Sequence, residues 1–447
     1  MKILSVFLAA AILLSGAGAA VADTEPATPA AASAFLGEIT TGDALYEYES
    51  SLRRNPETLT KIMTLLLACD ALESGGLTRE SRVTVSSSAL TAVPKDAVRT
   101  GLAAGDKVRY IDLLYLAFLG GGADASNAAA EAVSGSVAAF VESMNVRADE
   151  LGCVNTNFTT PHGEKSDEQY TTAADLFLIA RAASESELFL EVAGKTEYTV
   201  TSGGETTKTK LTTANYAAVP TRSKYYDKRV VAGTAAKNTY ASGSGCVEIA
   251  ESGGLRIIAV ILGSKEIIEE SDSSATILSF VEARRLIGWG FGGYAWKNVL
   301  EKGMPFTEIP VRYGAGRDSV TACPDGDVIV LVRIGGAPDN VTTRVTVYSE
   351  ADGLEAPVRL GDALGEITVL QNGREIAKVG LVAVASVDKE YVAYFKAQLR
   401  AATRTTLFKW IVFAVIALAA VYIAVVVRYN IQYNKRRREG KNGGRRG

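Results

Sequence analysis

A threonine and a lysine stand three residues apart at the head of an apolar run. Residues 56–64 read Pro-Glu-Thr-Leu-Thr-Lys-Ile-Met-Thr, and the run continues through Leu65, Leu66 and Leu67. The pattern predicts a helix that begins near Thr58, with Thr58 and Lys61 side by side on one face of its first turn. A hydroxyl there feels the positive end of the helix dipole, which favours a developing alkoxide. A neighbouring amine that is partly desolvated can accept the proton. Such a pair is suited to nucleophilic attack on a carbonyl. The same two residues also read as an N-cap threonine and a solvated helix lysine. Choosing between the two readings requires the rest of the chain.

Other reactive side chains are sparse. His162 is the only histidine, and the four cysteines, Cys69, Cys153, Cys246 and Cys323, are far apart with no CxxC spacing. A metal site of the ordinary His/Cys type is therefore not expected, and no cofactor motif is present. Cys69 and Cys246 lie in apolar elements and read as buried thiols. No disulfide pair is nominated by the spacing.

The chain has 447 residues, enough for two or three domains. Residues 1–22 read as a secretory signal: Lys2, an apolar run from Ile3 to Leu14, and Ala20-Val21-Ala22 as a small-x-small cleavage site. Residues 23–34 are rich in Ala, Pro and Thr and read as a linker. A second apolar run, within 408–427, is about the length of a membrane span, and Phe408, Trp410, Tyr422 and Tyr429 supply interfacial anchors. Residues 428–447 carry eight basic residues and one acidic, a charge of +7. The formal charge of −3 therefore leaves −10 on residues 1–427. The expectation is one C-terminal span in the cytoplasmic membrane, an acidic body outside the cell and a basic tail in the cytoplasm. No nucleic-acid surface is expected on the body.

These ends frame two kinds of pattern. From 42 to 290 helical and strand signals mix. A short strand is expected in 42–48, then the helix from Thr58. Further helices are expected over 112–118, 124–133, 136–151, 172–183 and 273–288. Strands are expected at 197–202, 229–234, 245–250 and 255–263, the last two as a hairpin through Glu251-Ser252-Gly253-Gly254. From 306 to 388 short β-branched runs alternate with turn signals, as in an all-β module: 327–334, 341–349, 355–358, 367–372 and 374–381. A helix over 389–405 leads into the span.

The motif at 56–64 resembles the S-x-x-K motif of the serine-type D-Ala-D-Ala carboxypeptidases, the low-molecular-weight penicillin-binding proteins. The likeness runs from about 37 to 385. It is carried by Asp112-Leu113-Leu114-Tyr115 with Asp124-Ala125 and Ala130-Glu131; by Met144-Asn145, Leu151-Gly152, Asn155-Thr156-Asn157-Phe158 and Pro161-His162-Gly163; and by Tyr170 to Leu176 with Ile179-Ala180-Arg181. Leu255 to Gly263 is similar to the last long strand of that domain, and Leu354-Glu355-Ala356-Pro357 with Gly365 to the β domain that follows. The resemblance implies an α+β, penicillin-recognising domain over 35–290, with an antiparallel sheet flanked by helices. A β-sandwich over 296–388, a membrane-proximal helix over 389–407 and the span complete it. It implies action on peptidoglycan stem peptides and recognition of β-lactams; no protein partner is identified. His162 reads as a structural loop residue.

Measured against that family, the reactive side chains depart at each motif. Thr58 stands at the nucleophile position, with Lys61 as the matching base. The second motif, S-x-N, aligns at Gly121-Gly122-Ala123, so Gly121 and Ala123 replace the hydroxyl and the amide; Ser126-Asn127 is not a substitute. The third, K-T-G, aligns at Ala235-Ala236-Lys237, where Ala235 replaces the carboxylate-binding lysine and Ala236 the threonine. Lys237 and Thr239 are candidate substitutes: strand side chains repeat every two residues, so Lys237 would face the same way about 6–7 Å further along. The alternative is a strand-end lysine in solvent. Three readings follow: a pseudoenzyme that binds cell-wall peptide or a division or sporulation partner; a working carboxypeptidase with Thr58 as nucleophile, Lys61 as base and Lys237 as clamp; and a structural spacer.

Overall fold

The apolar run Leu255–Ser264 forms the central strand of a five-stranded antiparallel sheet, and both of its faces are covered. The computed structural model describes residues 10–11, 26–164, 166–202, 207–239, 243–268, 275–334, 341–348 and 353–442. The expected signal segment, apart from 10–11, and the last basic residues of the tail lie outside them. The chain divides into two compact units, the first built on Gly16–Trp296, the second on Lys297–Val330 and Asp339–Gly447.

In the first unit the sheet strands are β1 (Ser33–Glu38), β2 (Ala44–Tyr48), β3 (Val230–Thr239), β4 (Gly243–Ser252) and β5 (Leu255–Ser264), arranged β2-β1-β5-β4-β3. The helices are α1 (Lys61–Glu73), α2 (Tyr110–Phe118), α3 (Ala123–Ser134), α4 (Val137–Glu150), α5 (Ala173–Ala183), α6 (Glu187–Ala193) and α7 (Leu278–Gly293). Alternation along β5 sorts its side chains. Ile258, Val260 and Leu262 join the cluster that holds Ile62 and Leu66 of α1 and Phe177 of α5. Ile257, Ala259 and Ile261 join Phe280, Leu286 and Ile287 of α7. A strand covered on both faces reads as an unbroken apolar run, and each such aliphatic side chain stabilises the fold by roughly 1.5–3 kcal/mol. The β4–β5 hairpin turns at Gly253 and Gly254, with φ of 58° and 80°. Only glycine takes two successive left-handed residues without steric cost.

Local chemistry sets the helix starts. The hydroxyls of Ser136, Thr172 and Ser186 accept from Ala139, Asp175 and Phe189 N–H and cap α4, α5 and α6. α1 has Ile62, Met63, Leu65, Leu66, Ala68 and Cys69 buried around its circumference, as a central helix must. The helix anticipated over 273–288 starts at Leu278, because Ala275–Ile277 pairs as a short strand with Glu266–Ile268. The β-branched Thr276 and Ile277 suit that extended backbone. All four cysteines are buried free thiols.

The second unit carries a sheet of β6 (Thr307–Arg312), β7 (Ser319–Pro324), β8 (Val341–Val347), β9 (Ala363–Gln371) and β10 (Arg374–Ala383), paired antiparallel in the order β8-β9-β10-β7-β6. Asn372 and Gly373 join β9 to β10, both with positive φ, as an Asn-Gly hairpin turn requires. On β8, Val341, Val345 and Val347 are buried in alternation with more open residues. The strand expected over 355–358 shrinks to Leu354–Glu355 beside β6, since Pro357 has no N–H to donate. Beyond the sheet, α8 (Tyr391–Arg404) precedes α9 (Thr406–Asn442). Thr406–Arg436 is long and apolar enough to cross a membrane by length and composition.

One polar group sits oddly in the first sheet. Glu248 on β4 is fully buried, opposite Gly233 of β3. A Cβ at Gly233 would lie 2.5 Å from Glu248 Oε2, so glycine leaves the carboxyl its room. Asn215 Nδ2 donates to Oε2 at 2.8 Å, while Oε1 has no partner. Burial pushes this carboxyl well above its usual range. The neutral form is thus favoured in the fold, and its stabilisation is complete below the unfolded value and lost as pH rises toward the folded one. Glu248→Gln keeps an acceptor for Asn215 and cannot ionise. Urea unfolding at pH 5, 6 and 7 should show the variant gaining on the parent by up to about 1.4 kcal/mol per pH unit. Parallel stability curves would count against this assignment.

Candidate active site

A short 3-10 turn, Glu57–Thr60, precedes α1, so the α-helix itself starts at Lys61 and not at Thr58. The turn is held from outside. Glu57 has a left-handed backbone with φ of 49°, and its N–H donates to Asn55 Oδ1 at 2.9 Å. Gln169 Nε2 donates to Thr60 Oγ1 at 3.0 Å, and Thr64 Oγ1 donates to Pro161 O at 2.6 Å. Gly163, with φ of 76°, packs so closely that a Cβ would fall 1.9 Å from Glu57 O. The loop Pro161–Gly163 therefore buttresses the start of α1.

Thr58 does not cap the helix. Its half-buried Oγ1 donates to Ala235 O on β3 at 3.2 Å. This removes the N-cap reading: the hydroxyl faces the sheet edge, 177 residues away in sequence. Lys61 is not a solvated helix lysine either. It is 3% exposed, and Nζ donates to Gly121 O at 2.7 Å. A buried ammonium needs such a partner.

Gly121 takes φ of 69° just ahead of α3. Asp124 anchors this corner, accepting from Thr100 N–H at 2.9 Å and from Thr100 Oγ1 at 3.0 Å. Gly121 and Ala123 bring no polar side chain. Ser126 and Asn127 are fully buried and turned to other partners: Ser126 Oγ donates to Gly122 O at 2.7 Å, and Asn127 Nδ2 to Ala89 O at 3.0 Å. Neither lines the cleft that holds Thr58 and Lys61.

Thr58, Lys61, Gly121, Ala235 and Ala236 line one cleft of about 460 Å³. Sequence reasoning brought these positions together. It missed Val98, Phe118, Tyr216, Ile277 and Phe280, which line the same cleft from four other segments and carry no local motif. Thr234 and Ser244 add nearly buried hydroxyls. Among the described lining residues Lys61 alone is charged. The side chains of Lys237 and Thr239 lie outside the described residues. The β3–β4 register shifts between Ala236 and Thr239, where three steps on β3 oppose two on β4. Such a bulge interrupts strand alternation, so spacing alone does not assign Lys237 to the face of Ala235.

His162 is 2% exposed, and its Nδ1 accepts from Glu164 N–H at 3.0 Å. Burial, and then the nearby Lys61 charge, push its pKa down to about 4. It is a neutral loop residue, as its setting beside Pro161 and Gly163 indicates. Among the described residues no cluster of His, Cys, Asp or Glu could hold a metal ion.

Comparison with known proteins bears on this geometry. A family model described as D-alanyl-D-alanine carboxypeptidase matches residues 19–266, and one described as the C-terminal domain of penicillin-binding protein 5 matches residues 294–389. The D-alanyl-D-alanine carboxypeptidase DacA of Haemophilus influenzae is 28% identical over 382 residues, covering 84% of this chain and 91% of that protein. DacF of Bacillus subtilis, described by the same activity, is 26% identical over 403 residues, with 88% and 97% covered. The crystal structure of penicillin binding protein 5 from Haemophilus influenzae superposes with a TM-score of 0.60 at 26% identity, covering 82% of this chain and all of that one. Penicillin binding protein 6B from Escherichia coli is similar in fold, with a TM-score of 0.59 at 24% identity over 80% and 97% of the two chains.

The His162 shift has a sign that can be tested. The folded pKa, about 4, lies below the usual 6.5. Between those values the unfolded chain binds the extra proton, so stability falls as pH drops through this window. The loss from this group should total about 3 kcal/mol, at 1.36 kcal/mol per unit. His162→Gln should flatten denaturant-unfolding stability between pH 6.5 and 4. An unchanged slope in the variant would overturn the buried, neutral assignment.

Proposed function

The chain belongs to the D-alanyl-D-alanine carboxypeptidase family, and from that premise we propose that it is a catalytically impaired member whose cleft binds cell-wall stem peptide without turning it over. The observation that carries this reading is the state of the cleft. Thr58 and Lys61 are in place, but Gly121, Ala123 and Ala235 offer no hydroxyl, amide or ammonium. The Lys61 ammonium is bonded to a backbone carbonyl, and the Thr58 proton points at Ala235 O. Thr58 is moreover a secondary alcohol with a stiff, branched Cβ, and its methyl crowds approach to a carbonyl. Loss of one member of such a unit commonly costs several orders of magnitude in rate.

The same reading places the body at the outer face of the cytoplasmic membrane. The apolar helix Thr406–Arg436 and the basic residues that follow support a single anchor with a cytoplasmic tail. In that arrangement residues 35–290 form the peptide-binding domain and 296–388 a β-sandwich domain, both outside the cell. A second reading draws on the shared cleft position of Thr58 and Lys61: a working threonine carboxypeptidase.

One experiment separates the two. The full chain in detergent is incubated with a fluorescent penicillin and followed by intact-mass spectrometry, beside Thr58→Ala and Thr58→Ser, while D-alanine release from a stem-peptide analogue is measured. The expected result is no adduct on the parent or on Thr58→Ser, and turnover far below about 1 per second. An adduct on the parent that vanishes in Thr58→Ala, with turnover near that rate or above, would establish the working enzyme instead.

A further inference from the structure

We infer that the cleft takes a peptide end carrying no free carboxylate: a D-alanyl terminus whose carboxyl is capped as an amide or joined in a further peptide bond. The inference rests on the preceding reading that the cleft binds cell-wall peptide, and it adds the chemical form of that peptide.

Three of the donors on the cleft wall are turned to backbone carbonyls. Lys61 is the one cation among the described lining residues; it is buried, and its Nζ donates to Gly121 O at 2.7 Å. The Thr58 hydroxyl donates to Ala235 O at 3.2 Å. Ser244, 1% exposed, donates from Oγ to Ser264 O at 3.3 Å. Beside the hydroxyls of Thr234 and Tyr216, the wall includes Ala235, Ala236, Ile277 and Phe280. At the Ala235–Ala236 edge a carboxylate would leave its water and meet methyl groups, while the Lys61 ammonium is directed at Gly121 O; such a transfer is costly without a charge paired at that edge. A capped carboxyl carries no charge, and the D-alanyl methyl suits the same wall. Electrostatic complementarity of this kind decides which of two near-identical ligands is accepted. Lys237 is the cation nearest in sequence to Ala235, and its side chain is outside the described residues, so the test includes it.

The probes are diacetyl-L-lysyl-D-alanyl-D-alanine as the free acid and as its C-terminal carboxamide. Each is titrated calorimetrically into the full chain in detergent at neutral pH, with D-alanine release assayed in the same samples. The carboxamide should bind at least about ten-fold tighter than the acid, a gap of about 1.4 kcal/mol. Ala235→Lys should reverse the order by supplying a cation, and Lys237→Ala should leave the parent's preference unchanged. Equal or tighter binding of the free acid to the parent would overturn the inference while leaving the peptide-binding reading standing. If that advantage disappeared in Lys237→Ala, Lys237 would be the clamp. Failure of both probes to bind would remove the peptide-binding reading and the inference together.

Discussion

The bond from Lys61 Nζ to Gly121 O is the constraint around which the cleft is organised. It buries a cation at the start of α1 and beside the start of α3. Both helix N-termini carry partial positive charge, so neither favours an ammonium nearby. The carbonyl of Gly121 offsets that cost, and it is presented by a left-handed residue whose position Asp124 fixes through Thr100. The placement of Thr58 follows from the same corner. With α1 starting at Lys61, Thr58 falls in the 3-10 turn ahead of it, and its hydroxyl reaches across to β3 rather than along the helix.

Scaffold and chemistry are separable here for a physical reason. The turn before α1, the buttress at Pro161–Gly163 and the capped helices are held by side-chain hydrogen bonds from outside the cleft, and the doubly covered β5 by its ladder and buried apolar contacts. Gly121, Ala235 and Ala236 stand on the cleft wall and bring no polar side chain to it. The scaffold thus does not depend on which polar side chains line the cleft, and Thr58 and Lys61 both bond to backbone carbonyls from distant segments.

The buried Glu248 makes a contrasting case. It breaks the rule that buried acids are paired with a charge, it faces a glycine that keeps space for it, and Asn215 donates to its Oε2 while Oε1 has no partner. Asn215 lies between Ala214 and Tyr216, both of which line the cleft. The polar contact thus ties the β4 interior to one wall of the site, and that wall rests on a group which favours its neutral form.

Sequence alone determined whatever is encoded within a few residues. The apolar run of β5, the Gly253-Gly254 and Asn372-Gly373 turns, the helices α4 and α5, the long apolar helix near the C-terminus and the residue types at Thr58, Gly121-Gly122-Ala123 and Ala235-Ala236-Lys237 were all legible there, whereas α6 was not. These follow from side-chain periodicity, turn conformation and capping, which act locally. Tertiary structure decided the rest. It moved the start of α1 to Lys61 and that of α7 to Leu278, turned Thr58 from a cap into a donor to Ala235, and gave Lys61 a carbonyl partner 60 residues on. It placed a bulge in β3 that strand spacing could not anticipate, and it gathered Val98, Phe118, Tyr216, Ile277 and Phe280 around one cleft. Each of these depends on the register between segments far apart in the chain, and register is set by the packing of the whole core rather than by any local preference.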